Sequence, residues 1–148
     1  RPSDVAAAAL GPELGFGFVP GDQPTRAARC IEALARLDGQ SASLEARLMA
    51  TLATQQLATV ETAVARETAE TAHHLAVASD DAVALGAALV ALSVTDLGPD
   101  SMERRLTMAR QILALADTLG DQALARTGHF LLLAALLLLE LLAGAALR

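Results

Sequence analysis

Few residues of this 148-residue chain could do chemistry, and their spacing decides how far each can go. Glu70 and His73 stand one helical turn apart, in the Glu-x-x-His arrangement that presents two metal-ligand side chains on one helix face. His74 follows at once, but neighbours on a helix point about 100° apart, so only one histidine can share the face of Glu70. No second motif of this kind supplies the remaining ligands, and the expectation is a half-exposed polar face with no metal. His129 lies near the start of a long apolar helix and is expected to be buried and bonded to a carbonyl or carboxylate; a pH switch or ligand contact is the sharper alternative. Cys30 falls on an apolar stripe with no histidine near it in sequence, so it reads as a small core residue rather than a nucleophile. As the lone cysteine it can form no internal disulfide, which fits a reducing compartment and makes the cytoplasm the expected location. No base, nucleophile and ligand set can be assembled from these residues. The chain is therefore expected to be no enzyme, with no catalytic, cofactor-binding or metal-binding residue and no cofactor in this segment.

The elements that would position such groups follow from composition. The chain is 53% hydrophobic and only 2% aromatic, and its apolar content is mostly Ala and Leu, which lose little freedom in a helix. The β-branched and aromatic residues that favour strands are scarce. All eleven basic residues are arginine, the net charge is −6 and the pI is near 4.9, a balance that argues against phosphate contact by this segment. The first residues, Arg-Pro-Ser-Asp followed by alanines, lack the layout of a signal peptide. The chain begins with Arg1 and reads as a piece of a longer protein.

Residues 1 to 10 are compatible with a short helix, and the Gly- and Pro-rich stretch 11–22 reads as a linker, so that 1–22 forms a domain edge and 23–148 a helical-repeat domain. A helix is expected from Pro24 to Leu37, with Ala27, Cys30, Ile31, Leu34 and Leu37 on one face and Gly39 as its left-handed cap. Leu44, Leu48 and Leu52 mark the inward stripe of a second helix over 41–57. A third, over 59–78, should turn Val60, Val64, Ala72 and Leu75 inward. Ser79-Asp80-Asp81 caps a fourth, over 82–93, that is apolar on most sides and so should sit between neighbours. Asp100 and Glu103 are spaced as a capping box for a fifth, whose Met102, Leu106, Ala109, Leu113 and Ala116 repeat at 4-3-4-3 spacing. Leu119-Gly120-Asp121 then stops that helix and starts the last.

The turn at 79–84 aligns with the turn at 120–125, an offset of about 41 residues. A helix, a tight Asp-containing turn and a second helix recurring at that period predict an all-α fold of antiparallel helix hairpins, stacked as a short tetratricopeptide-like α-solenoid. A compact helical bundle is the alternative.

Two phrases, Glu103-Arg104-Arg105-Leu106 through Ala114-Leu115-Ala116-Asp117-Thr118-Leu119-Gly120-Asp121, and Leu139-Glu140-Leu141-Leu142-Ala143-Gly144, resemble recurrent hairpin ends in one family. That family is the large ATP-binding transcriptional regulators of actinobacteria, LuxR-type or antibiotic-regulatory, and the resemblance covers roughly residues 24–148. It implies a tetratricopeptide-like segment lying between an ATPase module and a DNA-binding domain. The family's phosphate loop is not carried over, since this chain has no Lys, and no basic recognition helix is seen. The implied role is non-enzymatic: protein interaction or signal transmission within a transcriptional regulator, with the parent's other domains as partners. A small-molecule effector held between helix pairs is the alternative.

Residues 130 to 147 form an apolar run in which Glu140 is the only charge. Its length approaches that of a membrane span, but the central charge and the absence of an aromatic belt argue for no membrane, and Ala143-Gly144-Ala145 reads as a turn. The run is expected instead to leave an apolar face, Phe130, Leu131, Leu133, Leu137, Leu138, Leu141 and Leu142, through which the chain self-associates or meets a partner.

Overall fold

A computed structural model of the chain describes residues 1–10, 23–57 and 62–148. The expected linker 11–22 and Val60 lie outside them. The described residues form α1 (Pro2–Leu10), α2 (Gln23–Leu37), α3 (Ala42–Gln56), α4 (Thr62–Ser79), α5 (Ala82–Thr95), α6 (Met102–Leu119) and α7 (Gln122–Ala146), with a 3-10 turn at Pro99–Ser101 and no strand among them.

Each helix packs on its neighbours in the chain, and α1, α3, α5 and α7 also touch in succession. Among the described residues α2, α4 and α6 meet only chain neighbours. The result is the two-layered order of stacked hairpins, all-helical as the composition requires.

The repeat is set by caps. Ser41, Asp81 and Asp121 are the N-caps of α3, α5 and α7, at a spacing of 40 residues. Asp81 accepts from the backbone N–H groups of Val83 and Ala84 at 2.8 and 3.1 Å, and Asp121 from those of Ala123 and Leu124 at 2.9 and 3.0 Å. Each carboxylate satisfies two of the donors that a helix start leaves orphaned. The sequence offset of 41 is thus corrected by one. It matched Asp80 with Asp121, whereas Asp80 occupies the left-handed conformation (φ 52°) that Gly120 takes (φ 65°) in the later turn. A short polar side chain tolerates that conformation, so the first aspartate of the pair plays the glycine's part.

Three apolar clusters hold the layers together. The central one consists of alanines: Ala46, Ala50 and Ala53 of α3, Ala69, Ala72 and Ala76 of α4, and Ala84, Ala88 and Ala91 of α5. Helix axes approach to about 8 Å where side chains at the contact are this small. Close approach multiplies weak contacts between backbones, which offsets the small transfer energy of a single methyl group. On one side, Ala6, Ala9, Leu10, Cys30, Ala33, Leu37, Leu48 and Leu52 join α1, α2 and α3. On the other, Leu89, Ala109, Ile112 and Leu131 join α5, α6 and α7.

Four local expectations are corrected. Ile31 and Val64 are exposed, because α2 turns Cys30, Ala33 and Leu37 inward and α4 turns its alanine stripe inward. The Asp100 to Glu103 capping box does not form: Ser101 caps α6 without a side-chain bond to it, its hydroxyl donating instead to the carbonyls of Asp96 and Gly98. Residues 143–145 remain helical, as α7 runs to Ala146. The entry to α6 is fixed by Asp96, nearly buried, which receives both the Nε and a terminal nitrogen of Arg104 at 3.1 Å and lies 3.6 Å from Arg66 of α4. This tie across α4, α5 and α6 carries no sequence signal, its members lying 8 and 30 positions apart.

Candidate interaction surface

The groups with chemical potential stay apart. His73 and His74 meet edge to face, ring centroids 6.3 Å apart, while Glu70 is taken by Arg66 at 3.0 Å. Partial burial, and then the neighbouring His74, hold the His73 imidazole below its ordinary pKa. Among the described residues no three His, Cys, Asp or Glu side chains converge as metal ligands. Cys30 is fully buried, and burial pushes its thiol up to about 11 against the opposing pull of Arg26, so little thiolate forms. His129, expected inside, is exposed on α7. The four-residue rows of α7 that meet α6 pass through Thr127 and Gly128, and His129 lies one step beyond them.

That packed face of α7 consists of Thr127, Gly128, Leu131 and Ala135. Gly128 is needed there. A Cβ at this position would lie 2.8 Å from Cδ2 of Leu113 and 3.1 Å from Cγ2 of Ile112, so its absence lets α6 and α7 close on each other. Leu113 belongs to the 4-3-4-3 stripe of α6, which faces the core as its spacing predicts, and the fully buried Ile112 lies beside that stripe.

The opposite face is bare. Leu133 is 57% and Leu141 69% exposed, and Phe130 and Leu137 are exposed there as well, while Leu138 and Leu142, on the side of Leu131, are exposed where α7 runs past its last buried residue, Ala135. Leu131 is the correction: at 4% exposure it belongs to the core formed with α5 and α6, because a helical period places it nearly opposite Leu133. Leu136, which sequence reasoning passed over, is exposed beside Leu137. The signal that could have found it is distance from the Thr127, Leu131, Ala135 row rather than hydropathy, which is uniform along this run.

Length adds to the effect. With 25 residues against the 18 of α6, α7 outruns its partner by two turns, roughly 10 Å at 1.5 Å per residue. From Leu136 to Arg148 no residue is fully buried. Such a contiguous apolar patch is rare on a free surface. By length and composition α7 also suffices to cross a bilayer. No known protein family, curated protein or solved structure matches the chain.

Proposed function

We propose that this chain is a non-enzymatic helical-repeat segment that works by contact, with the outer face of α7 as its docking surface. The observation that carries this reading is the line of exposed leucines on α7, opposite a face that packs closely on α6 through Gly128. Its wider setting is a cytoplasmic actinobacterial transcriptional regulator, in which the segment relays a signal between an ATPase module and a DNA-binding module. The phrases at 103–121 and 139–144 support that setting, as does the recurrence of capped hairpins at 40 residues. The acidic balance favours protein over nucleic acid as the direct partner.

A bilayer is the less favoured occupant. A carboxylate near the middle of a spanning helix costs about 3 kcal/mol, and Glu140 would hold that place. Insertion would also strip Leu131 from the core it shares with α5 and α6, and Ala135 from its fully buried site.

Light scattering across a dilution series tests the reading, with the chain compared against Leu133→Glu/Leu137→Glu. The wild-type mass is expected to exceed the monomer at the concentrated end and to fall on dilution, while the variant stays monomeric with the same helical circular dichroism. A wild-type chain that is strictly monomeric at high concentration would remove the argument. Flotation of the chain with phosphatidylcholine vesicles, lost in the same variant, would give the face to lipid instead.

A further inference from the structure

We infer that the occupant of the outer face of α7 is the same face of a second copy of this chain, laid antiparallel across a twofold axis at Leu133. This rests on reading that face as a contact surface, and what it adds is the partner and the register.

Position and charge together set that register. Counting seven residues back from Leu133 gives Arg126, and seven forward gives Glu140. Seven residues are nearly two helical turns, so all three lie on one line along α7, directly opposite the packed Leu131 and Ala135. Arg126, Leu133 and Glu140 are all exposed, and among the described residues neither Arg126 nor Glu140 has an ion-pair partner in its own chain. With Phe130 and Leu137 the line reads Arg126, Phe130, Leu133, Leu137, Glu140, a 4-3-4-3 seam of the kind that two helices share.

The two orientations of such a pair differ sharply. In parallel, Arg126 would face Arg126 and Glu140 would face Glu140, like charge against like at both ends. Antiparallel about Leu133, Arg126 of each copy faces Glu140 of the other, and Phe130 comes within one residue of the level of Leu137 of the other, on the same seam. Both charges are answered twice, and the apolar centre is closed off from water. An isologous contact of this kind closes on itself and does not propagate into fibres. The contact spans about 21 Å of helix, which places it at the small end of specific interfaces and makes the dimer concentration-dependent.

Charge exchange on the full chain tests the register. By sedimentation velocity, Arg126→Glu alone and Glu140→Arg alone should each weaken dimerisation about tenfold, since each sets like charges together at both ends. Arg126→Glu/Glu140→Arg should restore it to near the wild-type value, because the exchanged pairs again match. Alongside, Leu133→Cys should oxidise to a dimer linked through position 133 in both copies, identified by peptide mass spectrometry. Association that persists in the wild type but is not rescued by the double exchange would overturn the antiparallel register while leaving α7 as a contact surface. A wild type with no association at any concentration would remove the contact reading itself, and this inference with it.

Discussion

The middle of the molecule and its last helix solve opposite problems with the same two residue types. Between α3, α4 and α5 nine alanines are buried almost without remainder, and the larger apolar residues Met49, Leu75, Leu85 and Leu92 pack around their edges. On α7 small Gly128 and Ala135 also face inward, together with Leu131, but most of the other leucines stand exposed rather than packed around an edge. Small residues let backbones close to contact, so they serve where two helices must lie side by side. Large ones need a hole in a facing surface, and on α7 the packed face is already filled by Leu113 and Ile112. On the reading proposed above, exposed leucine on α7 is surface left for another helix rather than core left over.

Placing the same charge in both regions separates them most clearly. Ala72→Glu puts a carboxylate at a fully buried site lined by alanines, with no room for the longer side chain and no partner for its charge. Glutamate forms helix nearly as well as alanine, so propensity does not confuse the result. The loss is expected to be on the order of 3–5 kcal/mol, enough to unfold a domain of ordinary stability. Circular dichroism and thermal melting measure it; a melting temperature within a few degrees of wild type would show that the alanine cluster is not the centre of the fold.

That cluster also marks where sequence reading was weakest. Helix existence, order and approximate ends were legible, because Ala and Leu recur at helical spacing and Asp and Gly punctuate the turns. The inward face is legible where large residues face inward on a helix with a polar side, as at Leu48 and Leu52 of α3 or along the α6 stripe. It fails at Ile31 and Val64, large residues that point outward while Cys30, Ala33 and Leu37 on α2 and the alanine stripe on α4 make the contact. Along α7, with apolar residues on every side, hydropathy could not separate Leu131 from Leu133. The difference lay in where Thr127 and Gly128 placed the packed row. His129 failed for the same reason. The Arg66, Asp96, Arg104 tie was beyond reach, since it depends on how three helices meet.

A middle-sized effect tests the repeat that both regions share. Asp81 caps α5 and also receives the hydroxyl of Ser43, 2.5 Å away on α3, so it couples one repeat to the next. The Ser43 hydrogen bond foremost, then the N–H of Ala84, hold its carboxyl below the ordinary range, opposed by desolvation and helped by the N–H of Val83 and by Arg47. A depressed pKa in the folded chain means that the unfolded chain binds the proton more readily. The stabilisation is complete above the unfolded value, about 3.9, and is lost as pH falls through the folded value. Asp81→Ala should cost about 1 kcal/mol at neutral pH, and Asp81→Asn much less, since an asparagine oxygen still caps the helix. The alanine variant should also lose less stability than wild type as the pH is lowered from about 5 to about 3. Parallel acid profiles for the two would mean that Asp81 contributes no linkage.

The weakest response is expected when that carboxylate is moved to the last helix. Leu137→Glu introduces the same group as Ala72→Glu, but on the outer face of α7, where the side chain stands 55% exposed. At dilutions where the chain is monomeric it loses no core contact and swaps one good helix former for another, so stability should change by no more than about 0.5 kcal/mol. The introduced carboxylate would stand three residues before Glu140 on one helix face, a like-charge spacing that costs the variant only about 0.2–0.5 kcal/mol. At concentrations where two copies meet, the same substitution should lower the melting temperature, because association with the folded state alone stabilises it by mass action. A penalty of several kcal/mol already present in dilute solution would mean that Leu137 is part of the monomer's own core. The contrast between the closed alanine cluster and the exposed face of α7 would then be lost.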